Sequence, residues 1–147
     1  MISRRIVLLV ALLITPLFSA HAADTTRIHV TVLEASNEGT DINLENDVYR
    51  DQLLNLFSYT AYEQVNKIFV DLLRAERTPV SMPGGYELFL TLQGEDAGRI
   101  SLQAVIRKGT DQYVDTVLTL LKPGVVFLGG PPVGEGKVLI LVLERRE

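Results

Sequence analysis

The stretch from Tyr86 to Glu144 constrains this chain most, because apolar and polar residues alternate along it between turn-forming segments. Alternation with a period of two places one set of side chains on a buried face and the other toward solvent, as in a half-buried β-strand. Consecutive strands joined by short glycine-containing segments predict antiparallel hairpins. The residues expected to face the core are Tyr86, Leu88, Leu90, Leu92, Ile100, Leu102, Ala104, Ile106, Val114, Thr116, Leu118 and Leu120.

Turn-forming segments separate these strands. Gly94–Gly98 and Lys108–Asp111 are the first two predicted turns. In Lys122-Pro123-Gly124, proline fixes its own φ and glycine is expected to supply a positive φ. A short fourth strand over Val125–Leu128 is then followed by a predicted hairpin loop over Gly129–Lys137.

The last predicted strand, Val138–Leu143, is apolar on both faces. A strand that is covered on both sides reads as a continuous apolar run. We therefore expect it in the middle of a sheet or under a helix. The four charged residues 144–147 are expected to end the chain in water.

The amino terminus has the pattern of a secretory signal peptide over residues 1–22. Arg4 and Arg5 precede the apolar run Ile6–Leu13, and Ala20-His21-Ala22 forms a small-x-small cleavage site. The apolar run is shorter than the roughly 20 residues that a membrane-spanning helix needs. We expect cleavage near Ala22, a bacterial periplasmic or secreted location, and no stable membrane span in the cleaved protein.

The composition of residues 23–147 predicts one β-rich globular domain without disulfides. The chain contains no cysteine, so an exported domain of this kind must rely on its apolar core. Its net charge of −4, which becomes more negative when the two arginines of the leader are removed, argues against nucleic acid as a partner.

The first half of the domain mixes strand and helix patterns. Ile28, Val30 and Val32 predict a first strand, which ends at the polar turn 36–41. A helix is expected over Leu44–Phe57, capped by Asn43 or Asp41. Tyr59–Leu73 fits a helical stripe and also an alternating strand, although its aromatic and β-branched content favours a strand over its later half.

Together these patterns predict a mainly β fold, at the margin of α+β. Thr78–Met82 is expected to be a short edge strand, because Pro79 is tolerated mainly at sheet edges. The expected architecture is an antiparallel β-sandwich-like domain with one or two helices from the segment 44–73.

No segment carries a convincing catalytic or metal-binding motif, so we expect no catalytic residue, metal or cofactor. Gly129–Lys137 fails as a phosphate loop, because a strand follows Lys137 where that motif requires Ser or Thr and a helix. Asp41–Gln52 places oxygens at alternate positions but lacks the glycine and glutamate of a calcium loop. His29 is expected to point away from the core, with no second histidine after the leader to complete a zinc site.

Two sets of residues are candidates for binding a ligand or a partner. Phe57, Tyr59 and Tyr62 form an aromatic cluster that either bridges helix and sheet or lines a ligand groove. The second set is the glycine- and proline-rich loop, where a distinctive backbone could contact a partner. The predicted binding residues are Tyr59, Tyr62, Gly129, Gly130, Pro131, Pro132 and Gly134.

These patterns favour a non-enzymatic protein of the bacterial envelope that binds another envelope protein or supports an assembly. It would use an exposed strand edge or the glycine- and proline-rich loop. The first alternative is a periplasmic protein that binds a small ligand or glycan through Tyr59 and Tyr62. The second alternative is a carboxylate-based hydrolase, for which the sequence offers acidic residues but brings no two of them together. The acidic residues available are Glu34, Glu63, Glu87, Glu95 and Asp96.

Overall fold

Strands dominate the computed structural model, which describes residues 25–146. The predicted signal peptide over residues 1–22 lies outside the described residues. One short α-helix and two 3₁₀ turns, Asp47–Tyr49 and Pro83–Gly85, interrupt the strands of the described part. The elements are β1 (Thr25–Ser36), β2 (Ile42–Asn43), α1 (Arg50–Leu56), β3 (Ala61–Leu73), β4 (Arg77–Ser81), β5 (Glu87–Asp96), β6 (Arg99–Lys108), β7 (Asp111–Leu121), β8 (Gly124–Gly134) and β9 (Lys137–Arg145).

The strands form two sheets that pack face to face. The five-stranded sheet has the order β2-β3-β1-β9-β8, and the four-stranded sheet has the order β4-β5-β6-β7. All neighbouring strands are antiparallel except β2 and β3, which are parallel. The predicted mainly β, sandwich-like fold with a helix from the segment 44–73 is confirmed.

The core between the sheets follows the predicted alternation. Ile28, Val30 and Val32 of β1 are fully buried, and so are the alternating apolar residues of β5 and β6. Burying each side chain of this size contributes roughly 1.5–3 kcal/mol, so this core supplies most of the driving force for folding. The four-stranded sheet contributes Leu88, Leu90, Leu92, Ile100, Leu102, Ala104, Ile106 and Leu120 to it.

Strand β9 lies between β1 and β8, as its continuous apolar sequence predicts. Leu139, Leu141 and Leu143 face the four-stranded sheet. Ile140 and Val142 face the other way and pack in a second cluster under α1. The strand is therefore both in the middle of a sheet and under a helix.

Strand β3 occupies the whole of Ala61–Leu73, so the helical interpretation of this tract is wrong. Its pairing with β1 shifts register between Asn66 and Gln64, which leaves Val65 as an extra residue. Such a bulge reverses the faces of the residues on either side of it. The resulting apolar spacing mixes two alternating patterns and imitates the three- and four-residue steps of a helix.

The helix is shorter than predicted and begins elsewhere. Neither Asp41 nor Asn43 caps it, because residues 42–43 form β2 beside β3. Asn46 instead accepts a hydrogen bond from the N–H of Val48 and caps the 3₁₀ turn that leads into α1. Nowhere in residues 25–146 does a helix reach the length and apolar character needed to cross a bilayer.

Two hairpin turns are tighter than predicted. Strand β5 continues through Asp96, and the turn is formed by Ala97 and Gly98, which both have positive φ. Strand β8 likewise continues through Gly134, and its turn is formed by Glu135 and Gly136. Two-residue turns with positive φ match the twist of paired strands, so the strands extend into segments that the composition assigns to loops.

The carboxyl-terminal charges do not all lie in solvent. Arg145 is 4% exposed, and its guanidinium contacts the Glu95 carboxylate at 2.6 Å. Glu95 belongs to the four-stranded sheet and Arg145 to the five-stranded sheet. The prediction for Arg145 is therefore wrong, since this residue joins the two layers.

Gly124 is required for a close approach and not for a positive φ. A Cβ at this position would lie 2.7 Å from the carbonyl oxygen of Leu121. That neighbour is backbone and cannot rotate away. The expectation of a positive φ at Gly124 is wrong, because Gly124 is not among the glycines with positive φ and is the first residue of β8.

We predict that Gly124→Ala lowers the free energy of unfolding by roughly 1–3 kcal/mol, because the added methyl group displaces backbone. Gly94→Ala is the matched control, since a Cβ at Gly94 would meet no atom within 4 Å. It should change stability by less than about 0.5 kcal/mol. Urea unfolding of both variants measures the difference, and equal losses would contradict the close contact.

Candidate functional site

Tyr62 and Tyr59, the predicted aromatic binding residues, lie in the cluster under α1. Tyr62 is 1% exposed, and its hydroxyl donates a hydrogen bond to the carbonyl oxygen of Leu53 at 3.1 Å. Burial is the main reason why the pKa of Tyr62 is raised. Tyr59 and Phe57 are half-buried against the same cluster. This placement fits the bridging role between helix and sheet.

Gly129, Gly130, Pro131, Pro132 and Gly134 lie along the outer edge of the five-stranded sheet. Gly129 lies beside the Phe57 ring, so this segment reaches the aromatic cluster at one point. The backbone oxygen of Pro132 accepts a hydrogen bond of 2.6 Å from the hydroxyl of Tyr86, which immediately precedes β5 of the other sheet. Pro131 is buried and Gly134 is exposed. These contacts hold β8 in place and tie the two sheets together.

The outer face of the five-stranded sheet is covered by α1 over only part of its length. Beyond the helix, residues of β1, β3 and β9 share an uncovered face, which we call the His29 surface. None of its residues was among the predicted binding residues. The strands contribute Arg27, His29, Lys67, Phe69, Asp71 and Glu144 to the His29 surface, and Arg146, which follows β9, joins it through its contact with Glu144.

His29 lies at the centre of this surface. The Phe69 ring meets its imidazole edge to face, with 4.6 Å between the ring centroids. Its Nδ1 is buried and has no hydrogen-bond partner among the described residues. The pKa of His29 is lowered, chiefly by burial and next by the positive charge of Arg146, while Glu144 acts in the opposite direction.

Ion pairs frame the His29 surface. The Arg27 guanidinium binds both carboxylate oxygens of Asp71, at 2.7 and 3.0 Å. Arg146 contacts Glu144 at 3.0 Å. Beside α1, burial and a hydrogen bond with Glu144 raise the pKa of Tyr49 to about 12. The surface is thus charged but locally neutralised around an exposed ring.

One edge of this surface is the free edge of β3. Strand β2 pairs with β3 only at Tyr62 and Glu63, so residues 64–73 have no strand beside them within the described part of the chain. Phe69 and Val65 on this stretch are 58% and 38% exposed. An unpaired edge presents backbone N–H and C=O groups to any strand that approaches.

Two of the other edge strands carry prolines. Strand β4 carries Pro79, as expected for an edge, and β8 carries Pro131 and Pro132, which lack N–H donors. Strand β7 pairs only with β6, and part of it lies close to β8 where the two sheets meet. In residues 25–146 the later half of β3 has neither a proline nor a paired strand on its outer side, and its Phe69 is more exposed than Tyr113, the ring on β7.

The structure also brings two of the acidic residues together. Glu34 of β1 and Glu63 of β3 face each other directly in the ladder, at the end of the five-stranded sheet. Lys137 contacts Glu34 at 3.3 Å, and this contact is the main reason why the pKa of Lys137 is raised. The three side chains line one open pocket. No group of three His, Asp or Glu within residues 25–146 is placed to hold a metal ion.

The sequence does contain a signal for the free edge. Ile68-Phe69-Val70 is a short run of strong strand formers between Lys67 and Asp71. Charges that flank such a run are typical of exposed edge strands. This signal can be recognised only once the segment Tyr59–Leu73 is known to be a strand.

A comparison of the chain with protein families, with curated proteins and with solved structures found no significant match.

We predict that the pKa of His29, followed by NMR of its imidazole protons, lies below the ordinary value of 6.5 because burial disfavours the charged form. Neutral His29 therefore lowers the stability of the fold by nothing above pH 6.5. As the pH falls from 6.5 through the lower pKa of His29 in the folded protein, the free energy of unfolding decreases. The His29→Gln variant should not show this loss of stability as the pH falls.

Phe69→Ala should bring the His29 pKa back toward its ordinary value, because it removes the ring that covers the imidazole. A His29 pKa at or above the ordinary value in the unaltered protein would contradict this account of the surface.

Proposed function

We propose that this chain is an exported protein of the bacterial envelope that acts by binding protein and does not catalyse a reaction. Export is inferred from the basic start, the apolar run Ile6–Leu13 and the cleavage pattern at Ala20–Ala22. The observation that carries the binding role is the free edge of β3 with exposed Phe69.

A free edge of this kind supports strand addition. A partner strand that pairs with it gains backbone hydrogen bonds, each worth about 0.5–1.5 kcal/mol net. Side chains beside the edge then set which strand fits. Phe69 supplies an apolar contact, while Lys67 and Asp71 supply one charge of each sign. The site can therefore give both affinity and selectivity.

The small-ligand or glycan alternative is less well supported. It needs Tyr59 and Tyr62 on the wall of a groove. Tyr62 is buried, and its hydroxyl already donates to the carbonyl oxygen of Leu53. Tyr62 therefore offers a ligand almost no exposed surface.

We predict that a photo-crosslinking amino acid in place of Phe69 forms a covalent adduct with protein in living cells. The same amino acid in place of Val117 is the control, because Val117 is 54% exposed but lies on β7 of the other sheet. Mass spectrometry of the adduct identifies the second protein and shows whether the mature chain begins near Ala23. Absence of an adduct at position 69, or equal yields at both positions, would overturn the proposed binding edge.

A second candidate, a carboxylate-based hydrolase, is favoured by the facing pair Glu34 and Glu63. Directly opposed residues in an antiparallel pair have Cβ atoms about 4.5–5.5 Å apart. Glycosidases that retain configuration place their two carboxyl groups about 5–5.5 Å apart. The ion pair of Glu34 with Lys137 argues against this role, because it already engages one carboxylate.

If this candidate is correct, the purified protein hydrolyses aryl glycosides. Glu34→Gln and Glu63→Gln should then each lower kcat by at least about 100-fold, as for loss of a general acid or base. Glu38 lines the same pocket, and the control substitution Glu38→Gln should leave kcat unchanged. Hydrolysis by the unaltered protein no faster than in buffer would exclude this candidate.

A further inference from the structure

We propose that the partner at the free edge of β3 is a second copy of this chain, paired antiparallel about a twofold axis at Phe69. The inference rests on the proposed function, because it names the protein that the edge binds. Three features of β3 support it: the direction of its backbone groups, the order of its charges and the length of its free edge.

The backbone groups needed for this pairing point the right way. The N–H of Lys67 donates to the side-chain oxygen of Asn66 at 2.8 Å, so it points away from β1. Backbone direction alternates along a strand. The N–H and C=O groups of Phe69 and Asp71 therefore also point outward. They have no backbone partner within the described residues.

An antiparallel copy centred on Phe69 uses these groups in matched pairs. Phe69 faces Phe69 of the second copy, and each donates to and accepts from the other, as in a hydrogen-bonded antiparallel pair. Lys67 and Asp71 form the next pairs on either side. The N–H of Lys67 is released by Asn66, which is exposed and free to rotate toward solvent.

The charges favour this register over its neighbours. Lys67 lies opposite Asp71 of the second copy on both sides of the axis, and facing opposite charges stabilise a strand pair. Centring the axis on Ile68 or on Val70 would leave Lys67 and Asp71 without a facing charge, and centring it on Lys67 or on Asp71 would place like charges directly opposite each other. Parallel pairing in register would do the same. The order of charges around Ile68-Phe69-Val70 is therefore self-complementary in one antiparallel register.

The existing ion pairs leave room for these contacts. The Asp71 carboxylate binds Arg27, but an ionised carboxylate has about four lone-pair sites. The ammonium group of Lys67 lies 3.6 Å from Glu45, a loose contact for a group with three donors. Both side chains can engage the second copy without losing their present partners.

The free edge also has the right length. With Phe69 at the axis, Val65 lies opposite Leu73 of the second copy. The carbonyl oxygen of Leu73 already accepts a hydrogen bond from the N–H of Glu76, so the new backbone hydrogen bonds span residues 67–71. Leu73 is the last residue of β3, and β2 pairs only as far as Glu63. The paired segment therefore ends before it reaches β2. The joined sheet would run continuously through both copies.

The test measures the oligomeric state of the purified protein, after the expressing cell has processed its amino terminus. Sedimentation equilibrium over a range of concentrations should give a reversible dimer. Lys67→Asp and Asp71→Lys should each raise the dimer dissociation constant by at least about tenfold, because each places like charges opposite each other on both sides of the axis. Lys122→Asp changes an exposed charge away from β3 and should have no effect.

An equimolar mixture of the Lys67→Asp and Asp71→Lys variants provides the decisive experiment. One copy then carries two acidic residues at positions 67 and 71 and the other carries two basic residues, so opposite charges face each other again. The mixture should form a heterodimer with a dissociation constant near that of the unaltered protein. Recovery in the mixture also shows that each single variant is folded.

Two outcomes would overturn the inference. One is an unaltered protein that stays monomeric at every concentration, and the other is a dimer that the charge reversals do not weaken. In either case an adduct at position 69 with a different protein in cells would leave the proposed binding function intact. Absence of any adduct would overturn both the dimer and the proposed binding function.

Discussion

The rest of the structure depends on the burial of β9 on both faces. Leu139, Leu141 and Leu143 need the four-stranded sheet on one side, while Ile140 and Val142 need a cover on the other. A third layer is therefore required, and the segment between β2 and β3 provides it. A seven-residue helix is about 10 Å long, whereas a twelve-residue strand extends about 40 Å. The helix cannot cover the whole face, which leaves the His29 surface open.

An open sheet face next to an open strand edge is an aggregation hazard for a β protein, and the chain limits it by several means. Prolines protect β4 and β8, and β2 covers the beginning of β3. On the His29 surface, ion pairs replace apolar contacts, and His29 is covered by the Phe69 ring. The later half of β3 combines strong strand formers, an exposed ring and unpaired backbone groups. Such a feature is consistent with a binding role, because its exposure is otherwise a liability.

The sequence predicted well the strands in which every second side chain packs against the opposite sheet, as in Leu88–Leu92 and Ile100–Ile106. It could not predict features that depend on pairing between distant strands. The bulge at Val65 exists because of its register with β1, and His29 meets Phe69 through the same pairing, 40 positions along the chain. The burial of Arg145 likewise requires Glu95 from the other sheet. Composition pointed to Gly129–Gly134 as a site, and this stays a prediction. Gly130 has a packing reason of its own, because a Cβ there would lie 3.0 Å from the carbonyl oxygen of Leu139.

The bulge at Val65 also separates the two candidate sites on β3. Glu63 precedes it and faces the side of the sheet that carries Val32, whereas Phe69 follows it on the opposite face with His29. Six residues of strand place them about 20 Å apart. Glu34 and Lys137 surround the first site, and none of the residues of the His29 surface lines that pocket. The two sites are thus physically independent, so loss of one through substitution leaves the evidence for the other unchanged.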